Sequence, residues 1–448
     1  MYAIIGAGPM GLCTARQLLK QGIDIVGFEL HADVGGLWDI DNPHSTMYES
    51  AHLISSKGTT QFAEFPMRDD VAPYPHHSEM RRYFRDYATR FSLYQHYQFN
   101  TRVVSVERLE KGWKLVSEQD GVQREWLFDG VLIANGTLHT PNQPALPGRF
   151  DGELLHSSAY RSADVFAGKR VLVVGCGNSA CDIAVDAVHR AASVDLSTRR
   201  GYYFLPKFIL GRPTDTFGGA IRLPRPLKQR LDGLLVRALV GKPSQYGLPD
   251  PDYKLYESHP VMNSLVLHHL GHGDIKARRD IARIDGKRVT FSDGEHAEYD
   301  LILQGTGYTL DYPFIDRAHL NWPAHAGAPK LYLNVFHPEY DDLFMMGMVE
   351  ASGLGWQGRD EQAELVALYI RGLRDGSNAA REFQALKRER ASVRLDGGYQ
   401  YLELERMAYY VHKDTYRQAL RQHSTALAQP AAGAARTVKE GLDASRQS

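Results

Sequence analysis

YAIIGAGPMGLCTARQLLKQGIDIVGFEL, Tyr2 to Leu30, decides the fold. YAIIG opens with a short apolar run, the right length for a buried strand. Gly6-Ala7-Gly8-Pro9-Met10-Gly11 then matches GxGxxG, and the residues after it read as a helix ending near Gly22. IDIVGFEL reads as the next strand. Strand, turn, helix and strand within about thirty residues make a βαβ unit. In such a unit Gly6 permits the tight turn, Gly8 lets backbone approach a diphosphate, and Gly11 lets helix and strand pack closely. The backbone N–H groups at the helix start would hold the diphosphate. Glu29 ends the second strand, where a carboxylate can accept hydrogen bonds from ribose hydroxyls.

The pattern recurs. KRVLVVGCGNSACDIAVDAVHRAASVDLSTRR, Lys169 to Arg200, carries Gly175-Cys176-Gly177-Asn178-Ser179-Ala180, a GxGxxA turn between strand and helix. No acid follows its second strand. Thr198, Arg199 and Arg200 stand there instead, and a guanidinium at that point pairs with a 2′-phosphate. The first turn therefore suits an FAD-type dinucleotide and the second NADPH. Between them, TRVVSVERLEKGWKLVSEQ reads as a β-hairpin turning near Glu110–Gly112, and DGVLIANG as a buried strand. TFSDGEHAEYDLILQGTGY repeats the order hairpin, strand, glycine turn, so the first pattern is expected to resume there.

The fold class expected is α/β, two Rossmann-like dinucleotide-binding domains with the NADPH domain inserted into the FAD domain. The expected boundaries are 1–160 for the first part of the FAD domain and 161–285 for the NADPH domain. They continue with 286–425 for the second FAD part and 426–448 for a polar tail, frayed or disordered. The 448 residues suffice for two or three domains sharing substantial cores. Lys+Arg 52 against Asp+Glu 53 leaves a net charge of -1, and nothing in that balance suggests a nucleic-acid or membrane-surface partner. No apolar run has the length of a membrane span, and a strand from Tyr2 leaves no room for a signal peptide. Three cysteines, Cys13, Cys176 and Cys181, cannot build a disulfide framework and point to a reducing, cytoplasmic setting.

Phe150-x-Gly152-x3-His156-x3-Tyr160 lies between the two turns. It is similar to the FxGxxxHxxx(Y/F) fingerprint of flavin-containing monooxygenases. Gly35-Gly36-Leu37-Trp38, Tyr48, Ser55-Ser56-Lys57, Phe65-Pro66, Ser197-Thr198-Arg199-Arg200-Gly201 and Thr306-Gly307-Tyr308 agree with that family. The resemblance covers most of the chain to about residue 370. It implies FAD on the first turn, Glu29, Gly36, Leu37 and Trp38, with Ile54, Ser55, Thr306 and Gly307 beside the cofactors. It implies NADPH on Gly175, Gly177, Asn178, Ser179, Ala180, Arg199 and Arg200. Ser55, His156 and Tyr160 are its candidate catalytic positions, the last two as polar anchors near the domain junction. Gly152 would allow a sharp bend in the connection. The implied activity is NADPH- and O2-dependent oxygenation of a small organic nitrogen or sulfur compound, through a C4a-hydroperoxyflavin. One position departs: the amine oxygenators of the family carry Asn just before Ser-Ser-Lys, and Ile54 stands there. An aliphatic side chain cannot donate, so Ser55, a backbone group or a bound water would have to.

A Baeyer–Villiger ketone oxygenase is the nearest rival, although Tyr160-Arg161 replaces the Trp-Pro that ends its fingerprint. Given Ile54, an NADPH oxidase releasing hydrogen peroxide is another, and a flavin-bound redox sensor is a rival outside the enzymes. Cys176 and Cys181 read as small-residue packing. His268, His269 and His272 are not expected to bind metal, because Gly271 is expected to end their helix. His76-His77 reads as exposed. Pro224 to Lys242 is basic and amphipathic, and reads as a solvated helix or a dimer contact rather than a membrane surface. The expected partners are a small substrate and O2, with a homodimer left open. The Gly353-Leu354-Gly355-Trp356-Gln357 turn precedes an expected helix, DEQAELVALYI. The resemblance implies that this helix start stabilises negative charge on reduced flavin.

Overall fold

The computed structural model describes residues 1–217 and 224–429. Its chain forms two parallel five-stranded sheets. The first runs Leu343–Met345, Gly130–Ile133, Tyr2–Ile5, Ile25–Phe28, Tyr97–Gln98. The second runs Glu153–His156, Leu301–Gln304, Arg170–Val174, Ser193–Ser197, Ile275–Arg278. Gly130–Ile133 and Leu301–Gln304 are buried along their whole length, as runs such as GVLI and LILQ must be in a covered parallel sheet. The expected hairpin forms from Arg102–Arg108 and Trp113–Gln119, and Val122–Phe128 adds a third strand.

The strand at Leu301 departs from the expected order. LILQ followed by Gly305 does not return to the first sheet; it sits in the second, between Glu153–His156 and Arg170–Val174. The chain rejoins the first sheet only at Leu343–Met345. Sheet membership therefore starts before residue 160 and ends after residue 286. The physical reason is that a short buried parallel strand ending in glycine carries no mark of which sheet it joins. The two connections between the units pair with each other, Thr140–Pro141 antiparallel to Tyr308–Thr309.

Four helices cover one face of the first sheet's core: Pro9–Lys20, His77–Arg90, Gly355–Arg374 and Lys413–Ala428. The last carries Tyr416, Leu420 and Leu427 into that core, so ordered chain continues past 425. The remainder of the expected tail, from residue 430, lies outside the described residues. The helix read from Asp360 onward starts earlier, at Gly355. His77 is buried, and burial brings its imidazole down to about 4; His76 caps the helix N-terminus through Ser78 N–H.

Asp360 makes the fold's stability depend on pH. It lies between helices Pro9–Lys20 and Gly355–Arg374, 8% exposed, accepting from Gln17 Nε2 at 2.8 Å. Burial pushes its carboxyl up to about 6, against the Gln17 hydrogen bond. Folded protein thus holds this proton more tightly than unfolded chain, whose carboxyl titrates near about 4. Its contribution is complete below the unfolded value and is lost as pH rises towards 6, about 3 kcal/mol in all. Asp360→Asn is expected to match wild type in stability at pH 4 and exceed it by about 2 kcal/mol at pH 8. Urea melts at the two pH values check this; parallel profiles for the two proteins would refute it.

Candidate functional site

The glycine turns close the strands Tyr2–Ile5 and Arg170–Val174. Gly6 has φ +107°, and a Cβ on it would lie 2.6 Å from Ala134 O. A Cβ on Gly11 would lie 1.9 Å from Gly6 O, so strand and helix meet through the absent atom. Gly8 differs: the nearest atom to an added Cβ is Gly36 Cα at 3.7 Å. Gly8 caps the helix without a side chain, and helix geometry leaves the Met10 and Gly11 N–H groups unpaired within the helix. Gly36 closes on this turn, and Gly35 N–H donates to Ala7 O at 3.0 Å. Leu37 O accepts from Ser45 Oγ, and Trp38 packs edge-on against Trp356 at 6.1 Å.

Glu29 is buried, and both its oxygens already hold the turn. Oε2 accepts from Ala7 N–H at 2.6 Å and Oε1 from His31 N–H at 2.9 Å. Burial pushes its carboxyl up while these N–H groups pull it back. Each carboxylate oxygen retains acceptor capacity for a ribose hydroxyl. Glu29 therefore shapes the glycine turn, a role that sequence spacing does not show. Asp39, fully buried nearby, is raised by burial but held below the carboxylate range overall by Asp41 N–H, Arg81 and Arg85.

In the second turn Gly175 has φ +112°, and its Cβ would lie 2.4 Å from Gly305 O. A Cβ on Gly305 would meet Ala180 Cβ at 2.6 Å. The third position of the turn can thus be alanine because its neighbour is glycine. Nothing lies within 4 Å of a Cβ added to Gly177. Asn178 Oδ1 accepts from Met262 N–H at 2.7 Å, tying the turn to the segment before helix Leu265–His272. Arg199 is exposed, and neither Arg199 nor Arg200 forms an ion pair among the described residues. Cys176 and Cys181 are buried free thiols with sulfurs 3.7 Å apart, and the Cys181 thiol is pushed well up, by the Cys176 hydrogen bond and then by burial.

The Phe150–Tyr160 segment joins the units. Gly152 is needed for closeness rather than for a bend. It is not at positive φ, but its Cβ would lie 2.5 Å from the Phe150 ring and 2.7 Å from Asp300 O. His156 is buried; Nδ1 accepts from Ser158 N–H at 3.1 Å, and Nε2 has no partner among the described residues. Burial lowers its pKa. Tyr160 is 1% exposed, donates to Asp186 at 2.9 Å, and stacks on Phe166 at 5.3 Å. Ser50 also donates to Asp186, while Tyr48 donates to Asp182 at 3.2 Å. Residues 48–50 of the first unit thus dock on helix Asn178–Val188 beside Tyr160. Thr306 Oγ1 donates to Asn142 O at 2.6 Å, and Gly307 has φ +86°, so this pair lies in the paired connections.

Ile54 and Ser55 precede the short helix Lys57–Thr60, and Ser55 Oγ accepts from Thr60 Oγ1 at 2.7 Å. Gly355 closes on the same helix: its Cβ would lie 2.4 Å from Thr59 O. Asp215 also reaches this place from the second unit. Its Oδ2 accepts from Ser56 N–H at 2.7 Å and from Thr59 Oγ1 at 2.5 Å, while Oδ1 is buried without a partner among the described residues. Ser352 Oγ and Tyr410 OH are 3.1 Å apart, and Tyr410 OH lies 3.1 Å from His259 Nδ1. Burial, then Arg406, brings His259 down to about 4, so it is neutral at pH 7. Sequence reading finds none of Asp215, His259, Ser352 and Tyr410, because each contact is made to residues far along the chain.

The histidine cluster needs correction. Helix Leu265–His272 runs through Gly271 and ends at Gly273, so the His268 and His272 rings share a face, 3.9 Å apart. Phe204 is core and Tyr203 donates to Tyr253 O at 2.9 Å, leaving Tyr202 partly exposed.

A model of the flavin-binding monooxygenase-like family matches residues 1–414. Flavin-containing monooxygenase 2 of Homo sapiens is 31% identical over 394 residues, 83% of this chain and 73% of that protein. The S-allyl-L-cysteine S-oxygenase of Allium sativum superposes with a TM-score of 0.66 at 20% identity, over 95% of this chain and 88% of that one. Cyclohexanone monooxygenase from Rhodococcus sp. Phi1, solved bound to NADP+, superposes with a TM-score of 0.69 at 19% identity, over 94% and 96%.

Proposed function

The chain belongs to the flavin-binding monooxygenase-like family, FAD-dependent and NADPH-using oxygenases, and on that premise we propose that it oxygenates a small organic nitrogen or sulfur compound. The observation that carries this reading is the pair of unlike glycine turns. One ends on a buried carboxylate, Glu29, and the other on an exposed guanidinium, Arg199, which has no ion-pair partner among the described residues. The space at Gly8 and Gly177, with the free helix-start N–H groups, fits the diphosphates of FAD and NADPH respectively.

Bound FAD would supply the redox and oxygen chemistry, with NADPH as the hydride source, one atom of O2 going to the substrate and the other to water. The chain's own residues bind, orient and keep water out. Met10 and Gly11 N–H groups and Glu29 would hold FAD, with Gly36, Leu37 and Trp38 closing over the turn. Gly177, Ser179, Ala180, Arg199 and Arg200 would hold NADPH. His156 and Tyr160 act as positioning residues: both are buried at the seam, and Tyr160 anchors helix Asn178–Val188 through Asp186. Helix Gly355–Arg374 starts beside Thr59, and Arg359 donates back to Gly355 O at 3.0 Å. Helix start and guanidinium together put positive potential there, which favours an anionic reduced ring.

Ile54 favours one rival, the NADPH oxidase, because the side-chain donor of the amine oxygenators is missing. Ser55, held by Thr60, remains the hydroxyl nearest that position in the chain. Measuring oxygenated product per NADPH across amines, thioethers, indole and ketones decides. We expect most NADPH to yield product with a thioether or amine. Hydrogen peroxide accounting for nearly all NADPH with every compound would overturn the oxygenase reading, and ester formation from ketones alone would favour the Baeyer–Villiger one.

A further inference from the structure

Helix Arg225–Val240 is built inside out. Gln229 and Asp232 face the protein. Gln229 Nε2 donates to Leu255 O at 2.7 Å, and Asp232 pairs with Lys228 and accepts from Tyr256 OH at 2.6 Å. Its leucines face outward. Leu227, Leu231, Leu234, Leu235 and Leu239 are 46%, 46%, 62%, 53% and 48% exposed, and no side chain of the helix is buried. Their spacing of three and four places them on one stripe. An apolar stripe on a helix ordinarily packs inward, because burial is what stabilises it. Here the fold spends its polar contacts on holding the helix by its other side.

The charges on the outer side choose the occupant. Arg225, Arg230 and Arg237 are exposed and form no ion pair among the described residues. The one acid of the helix, Asp232, is turned inward to Lys228 and Tyr256. A leucine stripe flanked by unpaired arginines and no exposed carboxylate complements an apolar layer topped by anionic headgroups. A second copy of this chain fits less well, since a two-fold contact of this face would set arginine against arginine. Sixteen residues span about 24 Å, and with four basic residues the helix lies in an interface rather than crossing it. Upstream in the same segment, Leu210 stands 93% exposed between strands Phe208–Ile209 and Arg212–Pro213, a further apolar group open to solvent.

We infer that helix Arg225–Val240 docks the protein on an anionic lipid surface, leucines in the acyl boundary and arginines among the headgroups. This proposal departs from the expectation of a solvated helix or a dimer contact for the stretch. The inference is independent of the oxygenation chemistry.

Flotation of the FAD-loaded protein with vesicles tests it. One set is phosphatidylcholine alone and the other phosphatidylcholine mixed with phosphatidylglycerol. Wild type is expected to float with the mixed vesicles, to remain behind with phosphatidylcholine alone, and to release in high salt. A Leu231→Gln, Leu235→Gln double variant and an Arg230→Gln, Arg237→Gln double variant should each bind at least about tenfold more weakly. Both should keep the wild-type melting temperature and the wild-type rate of flavin reduction by NADPH. Failure of wild type to bind either vesicle, or equal binding to both, overturns the proposal. So does a wild-type dimer in light scattering that the leucine variant dissociates without any vesicle binding.

Discussion

Arg199→Ala is expected to raise the KM for NADPH by roughly 10- to 100-fold and to leave that for NADH almost unchanged. The two coenzymes differ only in the 2′-phosphate, so a selective loss reads out that group. Arg199 stands just past strand Ser193–Ser197, exposed and without an ion-pair partner among the described residues, so no ion pair of the described fold is lost with it. A charge-assisted contact from a guanidinium to a phosphate contributes about 1.5–3 kcal/mol, which sets the range. Because the side chain is not in the core, the variant should melt with wild type. Steady-state kinetics with both coenzymes check this, and an equal loss for NADPH and NADH would show that the 2′-phosphate lies elsewhere. Arg200 is the neighbouring control: it is partly buried, its carbonyl accepts from Thr198 Oγ1 at 2.8 Å, and its substitution should discriminate less.

Gly11→Ala is expected to abolish FAD binding and to destabilise the protein by more than about 3 kcal/mol. The new Cβ would stand 1.9 Å from Gly6 O, and both partners are backbone. Neither can move by rotating a side chain, so helix Pro9–Lys20 must leave its strand. Gly8→Ala separates structure from binding. Its Cβ has ordinary contact distance to Gly36 Cα, 3.7 Å, and its φ of -69° suits any residue. That variant should fold and melt nearly as wild type yet hold FAD weakly, because the methyl enters the space a diphosphate needs. Melting curves with and without added FAD distinguish the two cases. A Gly11→Ala protein carrying full FAD would contradict the packing described for the first turn.

The turns were legible because they are local. Gly6, Gly8 and Gly11 answer to a tight turn, a close ligand and a close helix, and each demand leaves its mark within ten residues. The second turn was legible for the same reason, although why it ends in Ala180 was not: the answer is Gly305, far along the chain. What failed was assignment between distant segments. LILQ reads as a buried strand either way, and only pairing shows that it belongs beside Arg170–Val174. Asp215 meets Ser56 across a separation of 159 residues, and Tyr410 meets His259 across 151, so no periodicity announces either. Helix Arg225–Val240 shows the third limit. Sequence spacing reveals that a stripe exists, but the side on which the protein lies is decided by Gln229, Asp232 and Tyr256.

If the two turns hold FAD and NADPH side by side, electrons pass from nicotinamide to flavin. Anaerobic addition of NADPH to purified protein, followed by visible flavin absorbance, reads that transfer. The expected result is a yellow protein that bleaches within seconds to minutes, and far more slowly with NADH at the same concentration. A protein that takes up no FAD, or one that stays yellow indefinitely in excess NADPH, would contradict it.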